Sequence, residues 1–395
     1  MRTIGLVVVS IAVGCGARSP IALPGDASPP STTGGGDGSG GPIEWFALGR
    51  DFTCATSKSD PGHDLRCWGR NDRGQLGDLT SIPRSLPAPV VDDGTHLTIA
   101  SGSGAQMPIV AGGAHACASR LFPTASSSYE LSCWGANDRQ QLGDGTRVDR
   151  LQPIAIEATR TSPSMRFGVG EEHTCAIVGE GLFCWGSNDD GRLGVGDTTD
   201  RPTPTKVLGI DAPIAVALGL FHSCAIERAG DVACWGANDA GQLGNGTHGR
   251  SLLPFLVAGT EGVVELALGS DHTCALEGGG DLLCWGSNAA GQLGVADATS
   301  LSTPTRVASG IAHVAAGAHH TCALSIDGTV KCFGADDHGQ LGDGSLRDVV
   351  TIVAGADHTC ALDTRNVLRC WGRNDFGQLG DGTTVDRKTP VKVRW

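Results

Sequence analysis

The chain has 395 residues, 60 of them glycine, with a single tyrosine, fifteen cysteines and a formal net charge of −13. Such an acidic balance, without any run of Lys or Arg, excludes a polyanion-binding design, because nucleic-acid binders gather basic residues in a patch or tail; the charge reads as a solubility device. Aromatics at 5 % are sparse for a mixed-core enzyme, whereas glycine with frequent Asn, Asp and Thr suits many short strands joined by tight turns.

Residues 1–15 read as an export signal. Arg2 gives a positive start and Ile4 to Val13 is apolar, too short for the ~20 residues that span a bilayer. The stretch ends Ala12-Val13-Gly14-Cys15, which is similar to the bacterial lipoprotein cleavage box, with Ala12 where that box usually has Leu. On this reading Cys15 becomes the lipidated first residue; the alternative is an ordinary signal peptide with an incidental cysteine. Residues 16–42 are mostly Ser, Pro, Gly, Thr and Asp. They have nothing to bury, so a flexible tether is expected, holding a domain at 43–395 away from a membrane. The expected location is the outer membrane or cell surface, with the periplasm or medium as alternatives.

From residue 43 onward one motif dominates. Cys284-Trp-Gly-Ser-Asn-Ala-Ala-Gly-Gln-Leu-Gly294 has six counterparts, starting at Cys67, Cys133, Cys184, Cys234, Cys332 and Cys370, each preceded by a relative of His272-Thr-Cys-Ala-Leu276. A recurring unit of about 50 residues specifies an architecture before anything else. The fifth unit is the clearest. Val264–Leu268 alternates, His272–Leu276 is a second strand, Gly278–Gly280 a turn, Leu282–Trp285 the returning strand, and Pro304–Val307 a last extended piece. Four short strands per unit make a propeller blade, so the expected fold is all-β, a seven-bladed β-propeller.

Hairpin register predicts one cross-strand disulfide per blade. Gly179-Glu180 is a two-residue turn, and counting outward sets Cys175 opposite Cys184 at a non-hydrogen-bonded position. A three-residue turn likewise sets Cys274 opposite Cys284, and the repeat extends the pairing to Cys54 with Cys67, Cys117 with Cys133, Cys224 with Cys234, Cys322 with Cys332 and Cys360 with Cys370, leaving Cys15 unpaired. Systematic pairing points to an oxidising compartment. Zinc is the competing reading, but each hairpin offers only two sulfurs. Trp285, beside Cys284, points to the opposite face and is expected to pack between blades. His115, His173, His222, His272, His320 and His358 recur at one position, with Phe52 in the first unit; a repeated structural hydrogen bond is expected rather than a shared metal or catalytic site. The Asn-Asp-x-Gly-Gln-Leu-Gly runs lack the glutamate and spacing of a calcium loop and read as turns. No cofactor and no catalytic residue is assigned.

These residues resemble the regulator of chromosome condensation repeat family: a glycine, then His-(Ser/Thr)-x-Ala-Leu, then Trp-Gly-x-Asn-x-x-Gly-Gln-Leu-Gly, as in Ala267 to Gly294. The resemblance covers about residues 43–395 and implies a seven-bladed propeller whose terminal segments, here Ile43–Leu48 and Thr389–Val393, share a blade. The paired cysteines depart from the family pattern, and the sixth unit lacks the Pro-x-x-Val strand between Gly344 and Val350, so that blade is expected to be a strand short. The best-known member exchanges guanine nucleotide on a small nuclear GTPase, a role that an exported acidic chain does not inherit. A secreted bacterial relative that covers an enzyme's active site with one propeller face is a nearer analogy. Three functions follow as expectations: a monomeric protein-binding scaffold anchored to the cell envelope; a carbohydrate hydrolase or lyase, for which Glu171-Glu172 is the one adjacent glutamate pair; and nucleotide exchange. The long hairpins Ala55–Arg66 and Ala118–Ser132 lie on one side of the disc, where Phe122, Pro123 and Tyr129 are expected to face a partner, with tolerated insertion as the alternative.

Overall fold

The computed structural model describes residues 10–12, 42–59, 62–92, 95–96, 98–99, 109–121, 129–161, 166–296 and 298–395. Seven antiparallel sheets follow one another in chain order, one per repeat. Blade 5 shows the rule: Val263–Leu268, His272–Glu277, Leu282–Ser287 and Ser300–Ala308 pair in sequence order from the axis outward. Alternation explains the layering, since every second residue of the two middle strands meets one neighbouring blade and the rest meet the other. Of the expected export segment only Ser10–Ala12 is described, as a short strand parallel to Val263–Leu268.

All seven disulfides are present, between the seven pairs read from hairpin register, with Cα atoms 4.0–4.1 Å apart. Each falls in the same core cluster as the aromatic of the next blade. Cys175–Cys184 lies with Trp235, Cys54–Cys67 with Trp134, Cys274–Cys284 with Phe333, and Cys360–Cys370 closes the circle on Trp68. The sulfurs therefore fill the space between blades as well as stapling the hairpin within one.

One expectation needs correction. The terminal segments do not share a blade: Ile43–Leu48 is the inner strand of blade 1 and Arg387–Lys392 the outer strand of blade 7. The ends still meet, because Ile43, Phe46 and Leu48 share a core cluster with Val393 and Leu379. Trp395 stands edge-on to Trp68 with ring centroids 6.1 Å apart. Each blade is thus one continuous stretch, and the ring is closed by these side chains and by the Gly382 amide, which donates to the Ser85 carbonyl at 3.0 Å. In blade 1 the long hairpin is built of strand. Its extra residues lengthen the two strands, which stay paired out to Ser59 opposite Gly62.

Among the described residues blade 6 has three strands, Ile311–Ala316, His320–Ser325 and Val330–Gly334, as the missing Pro-x-x-Val piece implied. Two other changes accompany that loss. Phe333 replaces tryptophan, and Asp336 replaces the asparagine that in other blades ties the following loop. Asn71, for example, donates from Nδ2 to Asp78, Thr80 and the Ile82 carbonyl while its Oδ1 accepts from the Leu76 amide. Asp336 still accepts from the Leu341 amide but has no hydrogens to donate.

Candidate functional site

Strands 1 and 2 of every blade are joined at the axis by a short turn beginning with glycine, and these seven glycines form the throat of the disc. A side chain on Gly112 would strike the carbonyl of Gly170, one on Gly170 the carbonyl of Gly219, and one on Gly355 the carbonyl of Gly49, which closes the circle. Neighbouring backbones hydrogen-bond here, as from the Arg50 amide to the Gly112 carbonyl at 2.9 Å. The glycines serve close approach: there is no room for a Cβ between adjacent turns.

Behind the throat lies a repeated relay. His173 Nε2 is 2.9 Å from Ser223 Oγ on the next blade, His222 Nε2 is 2.8 Å from Thr273 Oγ1, and His358 Nε2 is 3.1 Å from Thr53 Oγ1 across the closure. Each hydroxyl donates its hydrogen to a main-chain carbonyl of the preceding blade: Ser223 to Arg192, Thr273 to Gln242, Thr53 to Gln378. The indole N–H of the same blade donates to that same carbonyl, as from Trp235 to Arg192 and Trp285 to Gln242. A hydroxyl whose one hydrogen is committed can only accept from the ring, so these imidazoles carry their proton on Nε2. Their Nδ1 atoms are buried without a partner. Burial holds the rings far below the ordinary histidine range, His115, His222, His272 and His358 down to about 3 and His320 to about 4. They are neutral structural bonds, as the repetition implied. Among the described residues no three His, Cys, Asp or Glu side chains are grouped to hold a metal.

The surface over the throat is asymmetric. The residue after each glycine rims its mouth, and around the ring these are Arg50, Gly113, Glu171, Leu220, Ser270, Ala318 and Ala356. Arg50 of blade 1 reaches over blade 2 to Glu171 of blade 3, Nη2 to Oε1 2.8 Å. Gly113 makes the crossing possible, since a Cβ there would lie 2.6 Å from the Glu171 carboxyl carbon. Burial raises the Glu171 carboxyl to about 6 against the opposing pull of Arg50. Glu172 turns away toward Arg139 at 3.7 Å, so the adjacent glutamates of the sequence do not converge on one point. Arg192 stands where other blades carry glutamine. Its guanidinium is buried, bonded to the Leu220 carbonyl and Asp190, and lies under the Phe221 ring.

Further out, ion pairs link blade 7 to blade 1 and blade 1 to blade 2, Arg373–Asp51 and Arg73–Asp149, and Arg70 joins Asp51 within blade 1. Ile82, Val148 and Val385 occupy equivalent loop positions in these three blades and are 58–59 % exposed. Thr199 and Gly249 take that place in blades 3 and 4. Charge along the inner rim and bare aliphatic side chains along the outer rim thus mark one sector of the mouth face. Sequence reasoning did not find it, because each residue is ordinary alone and only ring closure brings residue 385 beside residue 82. Of the expected partner-facing residues, Phe122 and Pro123 lie outside the described residues. Tyr129 is half-buried on a strand, paired with Leu121 and Thr161. It belongs to the opposite face. Cys15 also lies outside the described residues.

Known proteins agree with this architecture. Residues 181–395 match the model of the RCC1-like domain, and residues 131–177 that of the regulator of chromosome condensation (RCC1) repeat. The ultraviolet-B receptor UVR8 of Arabidopsis thaliana is 35 % identical over 173 residues, 43 % of this chain and 36 % of the receptor. The probable E3 ubiquitin-protein ligase HERC4 of Homo sapiens is 33 % identical over 186 residues, 46 % of this chain and 16 % of the ligase. The chain therefore spans about a third or less of the length of these relatives. Among known structures, human WBSCR16 superposes with a TM-score of 0.67 at 24 % identity, covering 83 % of this chain and 93 % of that one. Yeast RCC1 (Prp20), in a complex with Kap60, superposes with a TM-score of 0.69 at 20 % identity, covering 95 % and 91 %. At such identities the superpositions speak for the fold alone. Taken with seven blades built on the same His, Trp and Gly-Gln-Leu-Gly positions, the matched domain places this chain in the RCC1-like repeat family.

Proposed function

We propose that the chain is an exported, lipid-anchored propeller that binds a protein partner through the mouth face. The observation that carries this reading is the concentration of exposed Ile82, Val148 and Val385 outside a ring of paired charges in blades 7, 1 and 2. Exposed aliphatic side chains beside oriented polar groups are what a protein interface combines. Seven disulfides support an oxidising compartment, and the Cys15 box followed by the tether supports anchoring. That a yeast relative is described by its binding to Gsp1p and histones supports protein partnership in the family. The acidic charge of this chain weighs against a nucleic-acid partner.

The test is affinity capture from envelope fractions with the full chain as bait, beside I82E/V148E/V385E and a chain with the blade 2 hairpin shortened. Loss of one specific partner with the triple variant alone supports the mouth face. Loss with the shortened hairpin alone moves the site to the opposite face. Anchoring is tested separately: Cys15→Ser should release the protein from membranes, and unchanged membrane association would remove the lipid anchor.

A second reading rests on Glu171. A carboxyl raised to about 6 in a depression is a candidate general acid. Hydrolysis of a glycan panel, abolished by Glu171→Gln, would support a carbohydrate hydrolase or lyase; a folded protein without hydrolysis sets that reading aside.

A further inference from the structure

Six blades of this chain end in an outer strand of one pattern, Pro-x-x-aliphatic, as in Pro153-Ile-Ala-Ile156, Pro204-Thr-Lys-Val207 and Pro390-Val-Lys-Val393. Its register is constant. The residue after proline lies opposite the second cysteine of its blade, Ile154 opposite Cys133, Thr205 opposite Cys184 and Val391 opposite Cys370. The paired cysteines hold a non-hydrogen-bonded position, so the second cysteine turns its amide and carbonyl outward to that residue. The proline nitrogen then faces away from the sheet and closes the edge to further pairing. Three more contacts seat the strand. Its first residue, in blades 1, 2 and 7, is an arginine paired with the aspartate after the Gln-Leu-Gly turn: Arg84–Asp78 at 3.0 Å, Arg150–Asp144 at 2.5 Å and Arg387–Asp381 at 2.9 Å, the aspartate side chains being only 6–9 % exposed. Its second residue covers a turn glycine of the preceding blade, Leu151 on Gly74, Leu252 on Gly191, Ser302 on Gly241 and Lys388 on Gly339. Its closing aliphatic residue packs on the glycine that ends its own blade's Leu-Gly turn, Val207 on Gly194 and Val257 on Gly244.

Blade 6 keeps this seat, and among the described residues no fourth strand lies in it. Cys332 pairs with Cys322, so its amide and carbonyl face an open edge that no proline guards. Lys331 is exposed and Val330, Cys332 and Phe333 are half-buried, whereas Leu282 to Trp285 of blade 5 are all buried. The receiving half of each seating contact is present. Asp343 follows its Gln-Leu-Gly turn as Asp144 and Asp381 follow theirs, but it is exposed and bonds the Ser345 amide of its own turn. Gly291, the turn glycine of blade 5, has nothing within 4 Å of where a Cβ would stand. Where the aliphatic residue would close the blade, a small pocket is lined by Val330, Gly342, Leu346 and Trp371.

We propose that the outer edge of blade 6 is a docking site for an extended segment of a partner protein, of the pattern Arg-x-x-Pro-x-acid-aliphatic. The residue after proline exchanges main-chain bonds with Cys332, the arginine reaches Asp343, and the aliphatic side chain enters the pocket beside Gly342 and Trp371. The acid falls opposite Lys331, as Lys206 falls opposite Phe183 in blade 3. Charge selects it: Lys331 is exposed and has no ion pair among the described residues, and opposite charges directly across two strands attract where like charges repel. An open strand edge takes such a segment because main-chain bonds supply affinity and alternate side chains supply specificity. Asp343 at one end and Lys331 at the other fix its direction and register. The edge lies on the circumference of the disc, apart from the mouth-face sector of blades 7, 1 and 2, so the two surfaces are tested independently.

The experiment titrates the full chain with a labelled synthetic peptide, Ser-Arg-Thr-Thr-Pro-Thr-Glu-Val-Ser, read by fluorescence anisotropy and by hydrogen exchange. The expected result is saturable binding, with the 330–334 amides exchanging about tenfold or more slower in the complex and the 182–186 amides of blade 3 unchanged. Lys331→Glu should weaken this peptide about fivefold, and a peptide with Lys in place of Glu should recover the loss on that variant. Asp343→Asn keeps the turn acceptor and should weaken binding about tenfold. Replacing the peptide's arginine by alanine should do the same, and the two changes together should cost no more than either alone. Both protein substitutions are at exposed positions, and an intact set of seven disulfides confirms folding. I82E/V148E/V385E should bind the peptide as the unaltered chain does; loss there places the peptide on the mouth face and overturns the proposal. Absence of binding at about 1 mM peptide, or binding indifferent to Lys331 and Asp343, also overturns it. So does an edge already protected in the free chain: protection lost on dilution together with a dimeric mass assigns the edge to a second copy, and protection independent of concentration assigns it to the chain itself.

Discussion

Phe52 of blade 1 and Ala116 of blade 2 share one core cluster, and they occupy the positions that in the six other junctions hold a histidine and its hydroxyl partner. Where the imidazole is replaced by a hydrocarbon ring, the hydroxyl opposite has become a methyl group. The pair shows the relay to be a unit in which both members change together, because a buried polar group without its partner costs more than no polar group at all. Phe52→His alone leaves an imidazole N–H facing a methyl group and should lower stability by about 1–3 kcal/mol. F52H/A116T, which rebuilds a seventh relay with the Gln75 carbonyl as acceptor, should recover most of that loss. A double-mutant cycle in urea should give a coupling of about 1–3 kcal/mol; simple additivity would show that the relay is not an energetic unit.

The relay also dictates a pH dependence. The histidines are depressed to about 3 or 4 in the folded chain, while in the unfolded chain they titrate near ~6.5. As pH falls through that value the unfolded state binds protons and the folded state does not. Stability is therefore complete above the unfolded value and is lost on the way down to the folded ones. Each histidine contributes a slope of at most about 1.4 kcal/mol per pH unit in that window. Glu171, raised to about 6 when folded, works in the opposite direction between its folded and unfolded values. Urea midpoints from pH 6.5 to 4.5 should fall steeply, less steeply in His272→Gln and more steeply in Glu171→Gln. A flat profile would contradict the neutral buried rings.

At the mouth, Gly113 sets whether Arg50 can reach Glu171. Gly113→Ala places a methyl group against the Glu171 carbonyl and carboxyl, which the turn relieves only by shifting. The expected cost is about 1–3 kcal/mol. Arg50→Met leaves the turn backbone alone and should instead raise the Glu171 titration further, since the largest charge opposing burial is then gone. NMR titration of the glutamate carboxyl checks this; an unchanged midpoint would mean that Arg50 does not hold it.

The fold was legible because its signal is repeated. Six copies of Cys-Trp-Gly and one of Cys-Phe-Gly, with short turns between paired cysteines, fix the hairpin register and the disulfides together, and the short sixth unit is visible as a missing proline. Ring closure was not legible. That Ile43–Leu48 and Arg387–Lys392 belong to different blades depends on where the first strand starts, and a repeat pattern is indifferent to that phase. The mouth was hidden for a similar reason: Arg50 and Glu171 are 121 positions apart and become partners only when blade 2 contributes a glycine between them. Tyr129, read as partner-facing from its place beside a long hairpin, lies on a strand that pairs with Leu121 and Thr161, a placement that hairpin length alone does not reveal.

The disulfides offer a last discriminating measurement, because two physical accounts predict different rankings. If they act by limiting the unfolded chain, their worth rises slowly with the enclosed loop. The blade 2 bridge, at a sequence separation of 16, should then exceed the blade 3 bridge, at a separation of 9, by about 0.5 kcal/mol, each being worth roughly 2–3 kcal/mol. If they act as packing against the next blade, Cys117–Cys133 beneath Trp185 and Cys175–Cys184 beneath Trp235 should cost the same when replaced by serine. Both should cost more than the loop term, since the serines bury hydroxyls under an indole. We expect the second pattern: C117S/C133S and C175S/C184S each lose about 4 kcal/mol or more. Replacing the same cysteines by alanine should return part of that loss, as the polar term disappears and the cavity term remains. Urea unfolding of the four variants, with tryptophan fluorescence reporting the junction, decides between the accounts; a serine series ranked by loop length and equal to the alanine series would favour chain entropy.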